Sequence, residues 1–429
     1  MLCASCRCAA LTGRLRTVAS SAGLQPRVAV VGGGVAGEQT PSPTACRLLR
    51  RPPLRRCVTP GLVAADELLR AGLHVTLYDQ GVRTPGGRGA SHRLIASGVY
   101  DHGAQFIRQH HGDRVGALLQ QWVSAGAVSR WNARAGQLEA VRGFTPSSQC
   151  TPESRGAHFF SEQLCGPEQP QLLVGTSSLA EHLARPRAGY SLHVNSRVTA
   201  LHFDAATTGW RVTCARPDGE ATGQFDAVVV AAAQAARPTS PGYVALTGDL
   251  PGAVLGHWAR IAAASYLPVF TAMATLAGSP AFDLAAVTGH PDLWLLARDS
   301  SKPGRGRQDG RDVWVAVSSP QFAAAQMATQ ASAQAGTRSR SSREEQLAAS
   351  QALWTHACKL LGYAMDDVAV EPSQRWSAGF PAQPLGVPCL SDAESGFAAC
   401  GDWAHGPGVV SAAISGLSAA DAVAARWTS

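Results

Sequence analysis

The fold class of this chain is decided by the stretch RVAVVGGGVAG at residues 27–37. Val28 to Val31 form a valine-rich run, which is typical of a buried parallel strand. Gly32, Gly34 and Gly37 follow at G-x-G-x-x-G spacing, the pattern of a strand-to-helix turn that binds a pyrophosphate. The first glycine permits the tight turn, the second the approach of the phosphates, and the third close packing of helix on strand. Such a turn directs the free N–H groups of the helix toward the phosphates.

The helix expected after Gly37 is interrupted. Residues 38–61 contain five prolines and five arginines and cannot continue a helix. Residues 62–72, LVAADELLRAG, are then typical of an amphipathic helix closed by glycine, and a strand that ends at Asp79 follows. Removal of 38–61 shortens the interval from Gly32 to Asp79 from 47 to 23 residues. An acid about 20 residues after the first glycine is positioned to contact the adenosine ribose.

We interpret residues 38–61 as an insertion into an otherwise intact βαβ unit, for which translated intron sequence is one explanation. A genuine surface loop is the alternative, and the sequence leaves both open. The interruption also allows a third interpretation, a non-catalytic product. A helix broken just after Gly37 loses aligned N–H donors, and each charged hydrogen bond contributes about 1.5–3 kcal/mol.

The composition is that of a large globular protein. Hydrophobic residues make up 45% of the 429 residues and charged residues 16%, which excludes wholesale disorder and predicts two or three domain-sized units. The formal net charge of +7 is divided between residues 1–26, which carry +3, and residues 38–61, which carry +4. The rest of the chain is formally neutral, so we expect no nucleic-acid partner.

Residues 1–26 have the composition of an organelle transit peptide, because they are rich in Ser, Ala and Thr, contain Arg7, Arg14 and Arg16, and lack acids. A bland disordered tail is the alternative. We expect a soluble protein of the chloroplast or the mitochondrion, with the chloroplast favoured. The 11 cysteines form no disulfide framework, which predicts reduced thiols. No run of about 18 apolar residues occurs, so we expect no transmembrane segment, and no metal site is predicted.

Several further motifs follow one another along the chain. They are PGGR at 85–88, YDHGAQF at 100–106, WLLARDSSKPGR at 294–305, VWVAV at 313–317, QRWSA at 374–378 and GDW at 401–403. Together they resemble, in the same order, the motifs of renalase-like FAD-dependent oxidoreductases, a branch of the flavin amine oxidase group. The resemblance covers residues 27–37 and 62–429.

This resemblance implies an α/β fold in which a discontinuous Rossmann-type FAD-binding domain is joined to a second, α+β substrate domain. The predicted units are 1–26 (transit peptide, disordered), 27–105 (first FAD-binding segment, with the 38–61 insertion), 106–170 (first substrate-domain segment), 171–237 (second FAD-binding segment), 238–370 (second substrate-domain segment) and 371–429 (third FAD-binding segment).

The resemblance also implies FAD as the cofactor and a set of residues that contact it. Asp79 would contact the adenosine ribose, Arg88 the pyrophosphate and Asp402 the ribityl chain, and the small-residue helix from Val409 to Ala424 would face the N1–C2=O region of the flavin. The complete predicted set is Gly32, Gly34, Ala36, Gly37, Asp79, Gly86, Gly87, Arg88, Gly103, Ala104, Gln105, Val198, Gly401, Asp402 and Val410.

The implied activity is that of an FAD-dependent oxidoreductase. A reduced small molecule, either an amine or a dihydronicotinamide-type compound, transfers hydride to flavin N5, and O2 or another acceptor reoxidises the flavin. A carotenoid-desaturase-like activity is the close alternative. No catalytic side chain is assigned, and His102 is interpreted as a structural hydrogen-bonding residue as readily as a proton carrier.

Aromatic residues of the predicted substrate domain allow two interpretations. They either line a pocket or belong to the core, and their spacing favours the core. They are Trp122, Trp131, Phe144, Phe159 and Phe160.

Overall fold

The structure is a computed structural model that describes residues 25–32, 60–81, 87, 92–95, 98–140, 142–150, 158–166, 168–175, 179–278, 280–333 and 342–428. Several predictions therefore fall outside the described residues. They are the transit peptide apart from its last two residues, the insertion up to residue 59, and the site residues Gly34, Ala36, Gly37, Gly86 and Arg88.

The described strands are distributed over five sheets. In chain order they are β1 (Arg27–Val31), β2 (His74–Tyr78), β3 (His92–Ile95), β4 (Gly98–Asp101), β5 (Ile107–Arg108), β6 (Val128–Trp131), β7 (Ala135–Glu139), β8 (Gly143–Pro146), β9 (Leu172–Gly175), β10 (Tyr190–His193), β11 (Arg197–Asp204), β12 (Gly209–Arg216), β13 (Gly219–Phe225), β14 (Ala227–Val230), β15 (Ala245–Gly248), β16 (Tyr266–Ala277), β17 (Leu284–Thr288), β18 (Leu293–Arg298), β19 (Arg311–Ser318), β20 (Val368–Pro381), β21 (Leu390–Asp392) and β22 (Phe397–Ala399).

The described α-helices lie between these strands. They are α1 (Pro60–Arg70), α2 (Arg114–Ser124), α3 (Phe159–Leu164), α4 (Leu179–Ala184), α5 (Gly252–Ala263), α6 (Pro320–Ala333), α7 (Arg343–Leu361), α8 (Asp402–His405) and α9 (Val409–Ala424).

A six-stranded sheet in the order β10-β2-β1-β14-β22-β21 forms the first layer. The strands β10, β2, β1, β14 and β22 run parallel, and only the edge strand β21 is antiparallel. Val28 and Val30 on β1 and the four residues of β14 are fully buried, as expected for a parallel sheet covered on both faces. This sheet confirms the predicted α/β class with a Rossmann-type dinucleotide-binding fold, since strands from four distant regions of the chain meet in it.

The second layer is a seven-stranded mixed sheet in the order β20-β16-β19-β18-β17-β7-β8. Helices α6 and α7 pack on one face of it, where Trp314 and Trp354 are fully buried in a common core. A four-stranded sheet β13-β12-β11-β15 and two smaller sheets complete the fold. The α+β character expected of the second domain is therefore present.

Two examples show where sheet membership differs from the predicted boundaries. Residues 371–381, predicted to start the third FAD-binding segment, belong to β20 and pair with β16 in the second layer. Residues 245–248, predicted to lie in the substrate domain, form β15 and pair with β11. Both differences arise from pairing between strands that are far apart in the chain, which local sequence patterns do not encode.

Helix α1 begins at Pro60, two residues before the predicted start at Leu62, and so includes the last two residues of the predicted insertion. Pro60 and Gly61 form its first turn, where a proline is tolerated because the N–H it lacks has no partner within the helix. The helix packs on α9, and a Cβ on Gly416 would lie 2.4 Å from the carbonyl oxygen of Pro60. A glycine at that crossing therefore lets the N-terminus of α1 approach the middle of α9.

One helix in the described residues, counted as Val409–Trp427 with its following turn, is long and apolar enough to cross a membrane. More than half of its apolar stretch is buried inside the protein. Ala413, Ala419 and Ala420 lie in the core cluster that also contains Val28 and Leu68. These contacts are those of a core helix.

Candidate functional site

A cavity of about 510 Å³ lies between the two main layers. One wall is formed by the carboxyl ends of parallel strands, where ligands bind in doubly wound sheets. The opposite wall is formed by β16, β20 and the aromatic residues of α3. The lining residues are Pro60, Gly103 to His111, Phe159, Phe160, Gln163, Ala231 to Ala233, Tyr266, Val269, Thr271, Val317, Trp376, Gly379, Phe380, Gly401 to Trp403 and Pro407 to Ala412.

Gly32, the first glycine of the motif, has the backbone conformation that a tight turn after β1 requires. Gly32 has φ = +87°, in the left-handed region that favours glycine. Its N–H donates to the carbonyl oxygen of Tyr78 (2.9 Å), and a Cβ on it would lie 2.9 Å from the Cβ of Ala232. Because Ala232 lines the cavity, Gly32 lies directly behind the cavity wall.

Asp79 and Val198 lie together, away from the cavity. Asp79 is 2% exposed at the end of β2, and its Oδ1 accepts a hydrogen bond from the N–H of Gly81 (2.6 Å). The N–H of Ser196 donates to the carbonyl oxygen of Asp79 (2.9 Å), which brings the start of β11 beside it. The side chain of Val198 is buried in the core next to this point. Their predicted contacts with the adenosine end of FAD remain predictions.

Helix α9 directs its N-terminus into the cavity. Its first residues, Val409 to Ala412, line the wall, and the N-cap residue Gly408 supplies no side chain to the free N–H groups of the first turn. Gly408 has φ = +97°, and a Cβ on it would lie 3.1 Å from the ring of Phe159. The predicted site residue Val410 is among these lining residues. A helix N-terminus of this kind stabilises the electron-rich edge of a bound ligand.

The predicted motif at Gly401 and Asp402 follows β22 at the same wall. The N–H of Gly401 donates to the Oγ of Ser415 (2.9 Å), so α9 holds this turn in place. A Cβ on Gly401 would lie 2.2 Å from Nε1 of Trp403, which leaves no room for a side chain. Asp402 is 8% exposed, and its Oδ1 accepts a hydrogen bond from the hydroxyl of Tyr266 (3.4 Å).

Asp402 is the only carboxylate among the described residues that line the cavity. Arg108, Gln109, His110 and His111 line another region of it, so the lining is richer in hydrogen-bond donors than in acids. Burial lowers the pKa of the nearby His405 and holds that imidazole neutral at pH 7. A cavity with this lining accommodates a polar, electron-rich ligand edge more readily than a positively charged one.

The wall opposite the parallel sheet is aromatic. The rings of Phe159, Phe160 and Phe380 lie 5.2 to 5.4 Å apart, at distances typical of tilted and edge-to-face packing. Trp376 stacks on His102 and donates from Nε1 to the carbonyl oxygen of His102 (2.6 Å). This wall gives the cavity an apolar aromatic surface.

The five aromatic residues singled out in the sequence separate into two groups. Trp122 and Trp131 are buried in two of the core clusters, and Phe144 packs against a third. Phe159 and Phe160 line the cavity. Phe160 also belongs to a core cluster, and Phe159 packs against it. The expectation of core packing therefore holds for all five, and the last two line the cavity as well.

The structure adds site residues that sequence patterns did not identify. Tyr266 and Phe380 line the cavity from β16 and β20. The signal for Phe380 is the alternation in β20, where Trp376 and Phe380 share one face. Alternation indicates a common face, but it does not say which face meets a cavity.

Two family models match this chain. The model described as flavin containing amine oxidoreductase matches residues 127–424, and the model described as NAD(P)-binding Rossmann-like domain matches residues 60–122. The chain belongs to the flavin-containing amine oxidoreductase family. Membership implies a flavin cofactor, a small-molecule substrate and an electron acceptor.

Solved structures similar to this flavin oxidoreductase share its fold at low identity. Putrescine oxidase bound to putrescine is 13% identical, with 94% of this chain and 100% of that chain covered and a TM-score of 0.55. Reduced UDP-galactopyranose mutase is 12% identical, with 93% of each chain covered and a TM-score of 0.57. An oxidoreductase from Methanosarcina mazei is 11% identical, with 91% and 99% covered and a TM-score of 0.56.

The residues of the cavity fit a flavin. The uncapped N-terminus of α9 suits the polar edge of the flavin. The tight turn at Gly401 allows the ring to approach the backbone closely, and the aromatic wall offers it apolar contacts. Among the residues that the structure describes, no group of three or more His, Cys, Asp or Glu side chains is arranged to hold a metal ion.

Proposed function

We propose that this flavin oxidoreductase binds FAD and belongs to the renalase-like branch of its family. Its substrate is an amine or a dihydronicotinamide-type small molecule that transfers hydride to flavin N5, and O2 or another acceptor reoxidises the flavin. The observation that carries the proposal is the cavity itself, where the carboxyl ends of β14 and β22 and the N-terminus of α9 face the aromatic wall of Phe159, Trp376 and Phe380. When bound, the flavin supplies the electron-accepting chemistry.

The residues of this chain bind the flavin, orient the substrate and exclude water. Val409 and Val410 would present backbone N–H groups to the N1–C2=O region of a bound flavin, and Asp402, whose carboxylate Tyr266 holds, would accept from the ribityl hydroxyls. Phe159 and Phe380 confine a planar substrate against the flavin and keep the reacting atoms dry. No side chain of the described site is assigned as an acid or a base.

The decisive experiment is on the purified full chain. Released cofactor is identified by mass, and the bound form is expected to absorb at about 370 and 450 nm. Anaerobic addition of a dihydronicotinamide, or of a primary amine in a parallel sample, is expected to bleach the longer-wavelength band for one of the two classes. Recovery of the band on readmission of O2, with release of hydrogen peroxide, identifies O2 as the acceptor, whereas a band that stays bleached indicates another acceptor. A protein with no flavin, or a flavin that neither class reduces, contradicts the proposal.

A pair of glycine variants separates loss of the site from general strain. Gly408→Ala and Gly386→Ala both place a side chain at positive φ, +97° and +69°. Only Gly408 lines the cavity, whereas a Cβ on Gly386 meets nothing within 4 Å. We expect the first variant to lose flavin and the second to retain it.

A carotenoid-desaturase-like activity is the second candidate, favoured by the apolar wall of Phe159, Phe160, Trp376 and Phe380. It requires a flavin that is reduced by an apolar polyene and by neither an amine nor a dihydronicotinamide. The same anaerobic titration with a detergent-dispersed polyene distinguishes the two activities.

Delivery to an organelle belongs to the proposal as well. Fusion of residues 1–26 to a fluorescent protein tests it, with a matched fusion in which Arg7, Arg14 and Arg16 are replaced by Gln. Import of the first fusion into plastids or mitochondria, and failure of the second, supports a transit peptide.

A further inference from the structure

Lys302 is a buried ammonium directly behind the cavity wall. Its side chain is fully buried, and its Nζ contacts Asp101 Oδ2 at 2.8 Å, Gln105 Oε1 at 3.4 Å and the carboxylate of Asp299. Removing an ammonium from water costs several kcal/mol unless acceptors surround it. The three oxygens that surround Nζ therefore mark a specific, fully formed site.

A second cation completes the cluster. Arg305 donates to both carboxylate oxygens of Asp101, at 2.9 and 3.0 Å, and lies 3.5 Å from Asp299. The N–H of Asp101 also donates to the carboxylate of Asp299. Two carboxylates and two cations thus form a neutral network. We call Asp101, Asp299, Lys302 and Arg305 the charge cluster.

The charge cluster joins the β3–β4 hairpin to the seven-stranded sheet. Asp101 ends the hairpin strand β4 of the dinucleotide-binding region of the chain. Asp299 and Lys302 follow β18 of the seven-stranded sheet. Trp131 covers the cluster, with its ring centroid 5.4 Å from Nζ of Lys302 and its Nε1 donating to Ser301 Oγ (3.2 Å). The cluster therefore fixes the position of the β3–β4 hairpin relative to the seven-stranded sheet at a buried point.

Gln105 connects the charge cluster to the cavity. Its Nε2 donates to the carbonyl oxygens of Asp101 and Gly103, and its Oε1 accepts from Lys302. Gly103, Ala104 and Gln105 all line the cavity, at the wall predicted to contact the flavin. The ammonium of Lys302 thus holds, through one amide, the backbone of this wall segment.

Stability alone does not account for such an arrangement, because buried ion pairs are often replaced by apolar residues without loss of stability. We propose that Lys302 is a positioning residue, which acts through Gln105 to hold the Gly103–Gln105 wall in the place required for flavin reduction. The inference rests on the proposed flavin function. A displacement of about 1 Å in a reacting geometry lowers a rate by up to about 100-fold.

The test uses a charge-balanced variant, Asp299→Asn/Lys302→Met, which removes the amide contact without leaving an unpaired buried charge. Gln105→Leu removes the same contact from the other side. The matched control is Arg307→Met/Asp309→Asn, which removes an exposed ion pair of the same loop. In the flavin-loaded protein we expect the first two variants to slow anaerobic flavin reduction at saturating substrate at least about tenfold, with KM changed less than about threefold and the control unchanged.

Non-additivity gives the sharper readout. If Lys302 acts through Gln105, the triple variant reduces flavin no more slowly than the slower of the two separate variants, whereas independent effects multiply. A wild-type reduction rate in Asp299→Asn/Lys302→Met, or multiplied effects in the triple variant, overturns the inference.

Backbone hydrogen exchange tests the positioning without relying on flavin chemistry. Amides of residues 101–107 are expected to exchange at least about tenfold faster in the Asp299→Asn/Lys302→Met and Gln105→Leu variants than in the wild type and the control. Exchange unchanged in both variants overturns the inference, even if the protein binds flavin as proposed. Faster exchange in a protein that binds no flavin refutes the proposed function but supports the holding role of Lys302.

Discussion

Gly61 packs directly on Gly32, because a Cβ on Gly61 would lie 2.8 Å from the carbonyl oxygen of Gly32. The same Cβ would lie 3.0 Å from the Cβ of Ala231 and 3.3 Å from Cγ1 of Val30. This is the close packing of helix on strand that the third glycine of a dinucleotide-binding turn provides. The sequence assigned that role to Gly37, which lies outside the described residues; in the structure Gly61 makes this close contact.

Gly61→Ala is expected to displace the N-terminus of α1 from β1. Overpacking of this kind lowers the free energy of unfolding by about 1–3 kcal/mol, and the displaced helix end lowers flavin retention. Both are measured on the purified protein, by chemical denaturation and by the flavin-to-protein absorbance ratio. Gly256→Ala in α5 is the control, because a Cβ there meets nothing within 4 Å. Its free energy of unfolding should rise by up to about 1 kcal/mol, because alanine has a higher helix propensity than glycine. Equal behaviour of the two variants contradicts the packing argument.

Deletion of residues 38–61 is expected to preserve or strengthen flavin binding. The deletion joins Gly37 to Leu62, and Gly37 then takes the position before Leu62 that Gly61 holds in the structure. Four residues then separate Gly32 from the packing glycine, as in an uninterrupted G-x-G-x-x-G turn. A single recovered charge-assisted hydrogen bond of about 1.5–3 kcal/mol corresponds to roughly 10–150-fold in Kd.

Reconstitution of the apoprotein with FAD measures this Kd for the full chain and the deletion variant. Equal affinities identify residues 38–61 as a harmless loop. Loss of flavin on deletion contradicts the insertion hypothesis. Peptide mass spectrometry of the native protein shows independently whether a peptide that spans Gly37 and Leu62 exists.

The elements with strong local signals were predicted from the sequence. Helix α9 runs from Val409 to Ala424 as expected, because small apolar residues continue without a break after Gly408. The apolar run that begins at Phe397 likewise predicts a buried strand, and the structure has β22 there. The alternation from Ser191 to Phe203 predicts a single strand, whereas the structure has β10 and β11, separated by a turn at Asn195 with φ = +49°. Alternation continues across that turn, so periodicity alone did not reveal it.

The far wall of the site was not predictable in the same way. Residues of both β16 faces are buried, so its sequence lacks the alternation that would mark Tyr266 or Thr271 as facing a cavity. Its partner β20 lies about 100 residues later in the chain, and no local pattern encodes that pairing. The charge cluster at Lys302 depends on the same long-range arrangement.

Asp283→Asn tests a buried ion-pair network in the second layer. Burial by itself raises the pKa of Asp283, but hydrogen bonds from Arg134 and Arg298 outweigh it and hold this pKa below its usual value. A carboxyl whose folded pKa is depressed stabilises the protein fully above its unfolded pKa of about 3.9, and this contribution is lost as the pH falls through the folded value. Because Arg134 is about half exposed, water partly replaces its lost contact with the carboxylate. We therefore expect Asp283→Asn to lower the free energy of unfolding by about 2–4 kcal/mol at pH 7.

Denaturation at a series of pH values measures this dependence. The difference between wild type and Asp283→Asn should be constant above about pH 5 and should shrink below about pH 4. Asp309→Asn is the control, since Asp309 pairs with Arg307 on an exposed loop, and its effect should be small throughout. If the stability difference between wild type and Asp283→Asn grows as the pH falls, the pKa of Asp283 is not depressed in the folded protein.

Cys389 and Cys400 lie opposite one another, one step beyond the Leu390–Ala399 pair of β21 and β22. Burial raises the pKa of the Cys389 thiol to about 11, and the carboxylate of Asp421 adds to the increase, while a hydrogen bond with Ser391 opposes it. Burial also raises the pKa of Cys400. Both thiols are therefore protonated and unreactive near neutral pH.

Alkylation by iodoacetamide, followed by peptide mass spectrometry, tests this state of Cys389. Only the thiolate reacts, so the rate should rise about tenfold per pH unit from about pH 7 to 9.5 without levelling near the pKa of about 8.5 of a free thiol. Asp421→Asn should accelerate the reaction at each pH, because it removes a charge that raises the pKa. Ser391→Ala should slow it, because it removes a hydrogen bond that lowers the pKa. A rate that levels off near the free-thiol pKa of about 8.5, or variants that shift it in the opposite directions, would show that Cys389 faces water rather than the core beneath α9.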